Sequence, residues 1–152
     1  MSLTKNHDSN PLICKVEISF AEDIQSMETV ELHQVKITMK SQKAFTPVYV
    51  TPASYSFSEP SDVSAAGLLF KQRLNLYYPG IVLAMQPELI NLERKPLVAK
   101  IYYQNGLVQV IGSLDNPAKS FNSFSSSDAT GNSITIACDS DERARFEYIE
   151  PD

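Results

Sequence analysis

The stretch that decides the fold is Leu97-Val-Ala-Lys-Ile-Tyr-Tyr103, followed by Gln104-Asn-Gly106 and then Leu107-Val-Gln-Val-Ile-Gly112. Asn-Gly between two runs of β-branched and aromatic residues is a strong hairpin signal, because both residues tolerate the positive φ that a type I′ turn requires. Read as a two-residue turn, it sets Gln104 opposite Leu107. Tyr103 then faces Val108, Ile101 faces Val110 and Ala99 faces Gly112. In that register one face carries Leu97, Ala99, Ile101, Tyr103, Val108 and Val110, and a one-residue slip would scatter them.

Upstream, Ile13 to Phe20 alternates, with Cys14, Val16, Ile18 and Phe20 in the apolar phase, as a half-buried strand does. Val35, Ile37 and Met39 repeat the pattern, while Val30 and Leu32 lie in the opposite phase, so a bulge or turn is expected around His33-Gln34. Phe45 to Thr51 and Ser54 to Glu59 are β-rich segments parted by Pro52-Ala53, and Pro47 directs the first to a sheet edge. The longest pattern is Leu68 to Tyr78. It places Leu68, Phe70, Leu74, Leu76 and Tyr78 inward and Lys71, Arg73 and Asn75 outward, and Pro79-Gly80 ends it.

One short helix is predicted, with Pro87 in its first turn, Glu88 at its positive end, Leu89, Ile90 and Leu92 as its apolar stripe, and Arg94-Lys95 before Pro96. Downstream, Lys119 to Phe124 reads as a strand with a turn at Thr130-Gly131-Asn132. Ile134, Ile136 and Cys138 alternate next, and Ala144, Phe146 and Tyr148 form a last strand in a terminal hairpin. Residues 1–10 are expected to be a disordered tail and 11–152 a single β-rich domain. The expected class is mainly β, formally α+β: an antiparallel sandwich or barrel-like sheet with one capping helix.

Composition narrows the function. The chain has 152 residues, 43% hydrophobic and 20% charged, which suits one core and excludes two large domains. Nine prolines exclude a helical bundle. A net charge of −5 without a Lys/Arg cluster argues against nucleic acid, since phosphate neutralisation needs converging cations. No apolar run nears the roughly 20 residues that span a bilayer, so no membrane partner is expected, and without a secretory signal pattern the cytoplasm is the expected compartment.

Motifs for chemistry are sparse. Cys14 and Cys138 both fall in apolar phases and are expected to be reduced and buried. Two histidines and no Cys cluster predict no metal, the turn at Asp139, Asp141 and Glu142 lacks a complete calcium pattern, and five glycines without a phosphate-binding loop predict no cofactor. No catalytic residue is nominated. Tyr77-Tyr78 and Tyr102-Tyr103 are adjacent on strands, so one ring of each pair must leave the core. Lys71, Arg73, Tyr77 and Tyr102 are therefore the candidate interface.

The hairpin, its continuation Ser113-Leu-Asp-Asn-Pro117, and Gly131-Asn-Ser-Ile-Thr-Ile-Ala-Cys138 resemble prophage structural proteins of Bacteroides-type gut bacteria over about residues 65–150. That resemblance implies a non-enzymatic head-tail or tail component of a virion, with no catalytic residues to carry over. Its partners would be itself or other phage structural proteins, in the host cytoplasm or the virion. A small ligand-binding β module or hydrolase is the competing expectation.

Overall fold

A computed structural model describes residues 12–31, 33–48, 55–80, 83–126 and 130–149. The expected tail at 1–10 and the break at Pro52-Ala53 lie outside the described residues. In chain order the strands are β1 (Ile13–Phe20), β2 (Ile24–Glu31), β3 (Gln34–Met39), β4 (Thr46–Pro47), β5 (Ser56–Ser58), β6 (Ser61–Ser64) and β7 (Gly67–Pro79). A 3-10 turn at Leu83–Met85 leads into helix α1 (Gln86–Arg94), and β8 (Leu97–Tyr103), β9 (Val108–Ile111), β10 (Lys119–Ser125), β11 (Gly131–Ser140) and β12 (Arg145–Glu147) follow.

Seven strands form one sheet in the order β2-β3-β12-β9-β8-β1-β4, and the other runs β10-β11-β7-β5 with β6 added to β7. The class is mainly β, as expected, and the two largely antiparallel sheets are open, not closed into a barrel. Between them lies the main core. Val16, Leu97, Ala99, Ile101 and Ile111 come from the first sheet, and Leu74, Leu76, Ile134, Ile136 and Cys138 from the second. Each fully buried Leu or Ile here contributes about 1.5–3 kcal/mol from apolar burial. Pro47 sits on the edge strand β4, where its missing N–H costs no ladder bond.

The helix forms where Pro87 and Glu88 open it, and Leu89 is the side chain it buries. Asn122 on β10 donates from Nδ2 to the Leu89 carbonyl at 3.1 Å, tying α1 to that strand.

Three expectations are corrected. The Asn105-Gly106 hairpin has a three-residue loop. Gly106 N–H bonds Tyr103 O and Tyr103 N–H bonds Leu107 O, both at 3.0 Å, and Gly106 alone takes a positive φ, +89°. This is a type I turn followed by a left-handed glycine, and it moves the register by one: Ile101 faces Gln109, and Val110 faces Lys100. The slip is tolerated because β8 is covered on both sides. Ala99 and Ile111 enter the main core while Val98 and Val110 join Ile24 and Val35 in a second cluster on the far face.

Cys14 is exposed, whereas Cys138 is buried. The register between β1 and β8 shifts from Ile13–Tyr103 to Lys15–Tyr102, so Cys14 is the extra residue of a bulge and Ile13 packs against the core instead. The last strand makes no terminal hairpin with β11. It crosses to the other sheet and lies antiparallel to β9 and parallel to β3.

Candidate functional site

Three surfaces present groups beyond those the core uses. At one end of the sandwich a cleft of 220 Å³ opens between the sheets, lined by Gln72, Asn116, Cys138, Glu142, Arg143 and Arg145 among others. Gln72 is an inward residue of β7, and its amide donates to Glu142 O at 3.3 Å, which fixes the 141–144 turn over the cleft. Glu59 clamps the same turn, accepting Ala144 N–H at 2.6 Å and facing Arg143 at 3.3 Å. Arg143 also lies over the Phe70 ring, 4.7 Å from its centre. Arg145 is held by Glu142 Oε2 at 2.6 Å and by Thr29 Oγ1 at 2.5 Å.

The cleft's thiol is not poised to attack. Burial, with Asp139 adding to it, pushes the Cys138 thiol up to about 11, so at neutral pH it is protonated. It contacts the Asn116 carbonyl at 3.5 Å, and the Asn116 amide in turn donates to Asp139 O at 2.8 Å. Asp139 and Glu142, considered above as oxygen ligands, face Arg73 and Arg145 instead. Among the described residues no three of His, Cys, Asp and Glu gather as a metal site.

At the opposite end lies an apolar groove of 460 Å³ between α1 and β1, lined by Ile18, Phe20, Val48, Tyr78, Leu89 and Leu92 among others. The sequence marked Tyr78, Leu89 and Leu92 as core; it held no signal that they also border a groove.

The four candidate interface residues do not form one surface. Lys71, Arg73 and Tyr77 share the outer face of β7, whereas Tyr102 shares with Val98 and Lys100 the face of β8 turned away from the second sheet. Lys71 pairs with Asp62 at 3.6 Å and Arg73 with Asp139 at 2.8 Å. Tyr77 lies across Gly131, its hydroxyl 2.6 Å from where a Cβ would stand. Lys15 Nζ sits 4.2 Å above the Tyr102 ring. Burial, then a hydrogen bond to the Glu17 carboxylate, raises the Tyr102 phenol far above its usual range.

The third surface is an arm. Pairing of β11 with β7 ends at Ser140–Phe70 and that of β5 at Ser58–Arg73, but β7 continues to Gly67 with β6 as its remaining neighbour. Residues 61–69 thus extend past the sheet as a two-stranded ribbon. Val63 faces Leu68 across it, 79% and 46% exposed, so Leu68 is not the inward residue that alternation predicts: the strand has outrun the core at that point. Ser64 Oγ accepts Ala66 N–H at 3.2 Å, and Gly67 takes φ +116° to close the turn. Sequence periodicity found the long strand but not which part of it would outrun its neighbours.

Compared with protein-family models, curated proteins and solved structures, the chain matches none.

Proposed function

We propose that this protein is a non-enzymatic structural or assembly protein, a head-tail or tail component of a prophage virion, whose partners are other virion subunits. The observation that carries the reading is the projecting β6–β7 arm, with Val63 and Leu68 paired and exposed at a ribbon two strands wide. Isolated hairpins bury little of their own apolar surface, and an exposed pair of this kind gains stability by docking on a neighbour. The resemblance of residues 65–150 to prophage structural proteins supports the same reading. Cleft groups engaged in fixing the 141–144 turn, and a protonated Cys138, fit a scaffold better than a catalyst.

Quantitative mass spectrometry of purified virions induced from the source strain tests it. The chain is expected at a fixed copy number per particle, and a V63S/L68S variant is expected to yield particles that lack it. Absence of the wild-type chain from intact particles would overturn the proposal.

A second reading, the small ligand-binding β module or hydrolase, draws on the apolar groove beside α1. Saturable binding of a fluorescent fatty-acid probe, lost in Leu92→Arg, would favour it.

A further inference from the structure

We propose that a cavity adjoining the cleft binds the phosphoryl group of a small phosphomonoester. The cavity measures 490 Å³ and is lined by Thr29, His33, Phe70, Glu142, Arg143 and Arg145. Distant parts of the chain build it. Thr29 comes from β2, His33 from the turn between β2 and β3, Phe70 from β7, and the other three from the segment that leads into β12. Parallel pairing sets Phe146 opposite Gln34, with Phe146 N–H donating to His33 O at 2.7 Å, and this brings His33 and Arg145 to one place. A volume of this size on which a few polar groups converge suits a small ligand.

The converging groups share a chemistry. Guanidinium and imidazole are the side chains that take oxyanions, and each guanidinium carries five N–H donors. Among the described residues Arg145 uses two of them, on Thr29 Oγ1 and Glu142 Oε2, and Arg143 uses one, on Glu59 Oε1. Donors are therefore left over on both. The forks are also held before any ligand arrives, Arg143 by the Phe70 ring beneath it and by Glu59, Arg145 by Thr29. Binding then costs little side-chain entropy. His33 takes φ +69°, which glycine would adopt without strain, and in its place the turn presents an imidazole to the cavity.

Two carboxylates face these cations, and they are held differently. Glu59 is 11% exposed, accepts Ala144 N–H as well, and stays as the brace of Arg143. Glu142 is 60% exposed, and an ion pair so open to water contributes at most about 1 kcal/mol. Its backbone is fixed independently, the carbonyl by the Gln72 amide and the N–H by Ser140 Oγ, so the carboxylate can swing into water while the turn stays shut. Glu142 thus occupies Arg145 as an incoming oxyanion would. One fork satisfies the two oxygens of a carboxylate, whereas a phosphoryl group offers three, carries about −1.5 to −2 charge at neutral pH, and matches two forks and an imidazole together. The volume beyond that group, walled by Phe70, takes a small organic ester in preference to free phosphate. The site is separate from the arm, and the inference does not rest on the assembly reading.

NMR titration of the isotope-labelled chain with phenyl phosphate, inorganic phosphate and benzoate, following the arginine side-chain N–H signals, tests the site. Phenyl phosphate is expected to saturate with a millimolar or lower dissociation constant and to shift His33 and residues 142–145, with the other two anions each several-fold weaker. Arg145→Met is expected to raise that constant at least about tenfold. Glu142→Gln, which removes the competing carboxylate and keeps its shape, is expected to lower it about two- to fivefold, the worth of one exposed ion pair. Lys119→Met on the other sheet is expected to leave it unchanged. No saturable shift at millimolar probe, shifts centred away from this cavity, or Glu142→Gln binding no tighter than the wild type would overturn the proposal, and benzoate or inorganic phosphate binding as tightly as phenyl phosphate would overturn the ester assignment. If Arg145→Met loses its cooperative thermal transition, the exposed Glu142→Gln decides. V63S/L68S is expected to bind phenyl phosphate as the wild type does, so a failure at this cavity leaves the assembly reading standing.

Discussion

Lys100 Nζ on β8 reaches across the intervening strand β9 to lie 2.7 Å from Glu147 Oε1 on β12, and the Phe45 ring covers the ammonium at 4.2 Å. The pair is largely withdrawn from water, so each charge depends on the other. Removing one partner alone, in Lys100→Met or Glu147→Gln, is expected to cost about 3–5 kcal/mol in urea unfolding, because the remaining group is stranded. The double variant K100M/E147M is expected to cost less than the sum of the two singles. Additive losses would show that the pair is uncoupled.

Gly131 and Gly80 resist substitution for different reasons. A Cβ on Gly131 would lie 2.6 Å from both Tyr77 Oη and Tyr78 O, the second of them backbone that cannot yield. Gly131→Ala is expected to destabilise by about 1–3 kcal/mol, with only partial relief from adding Tyr77→Phe. Gly80 has open space around it but φ +81°, so Gly80→Ala is expected to cost about 1 kcal/mol through backbone strain. Thermal melts of the three variants check both statements.

The two thiols are expected to react at separate rates. A disulfide reagent at pH 8 should label Cys14 quickly and Cys138 only as slowly as the fold opens, and Cys14→Ser should remove the fast phase. Because burial raises the Cys138 pKa to about 11 in the folded state, the stability this thiol contributes is complete below the unfolded value and declines as pH climbs toward 11. Cys138→Ala should therefore flatten the alkaline fall in unfolding free energy. An unchanged slope would contradict the assignment.

Asn122 links β10 to α1 through the Leu89 carbonyl. Asn122→Ala is expected to cost about 1 kcal/mol and to speed amide exchange across Gln86–Arg94, with the sheets unaffected.

How far the chain could be read from its residues varies with the range of the interaction involved. Alternation located the inward residues of β11 and, Leu68 excepted, of β7, because over most of their length those strands have one face on the core and one toward solvent. The same method failed at β8. There Val98 and Ala99 are equally buried on opposite faces, so the apolar pattern fits two registers and Gly106, taking the left-handed conformation by itself, selects the other one. Cys14 was misplaced by a bulge that shows only in the pairing of β1 with the distant Tyr102 and Tyr103. The arm depends on where the strands beside β7 stop, and no local pattern records that.

The placement of β12 also sets an order in time. It is the last strand among the described residues, yet it sits inside the seven-stranded sheet between β9 and β3, with Phe146 N–H donating to His33 O at 2.7 Å and, just beyond the strand, Tyr148 N–H donating to Val35 O at 2.8 Å. During synthesis β2 and β3 leave the ribosome more than a hundred residues ahead of the segment that joins them to the rest, as the separation of Gln34 from Phe146 requires. Until then the early hairpin and the β8–β9 ribbon wait as separate pieces, and the Lys100 ammonium has no carboxylate to meet. Folding governed by so distant a closure is slow, and until Arg145–Glu147 docks, β3 and β9 keep unpaired edges that other strands can join.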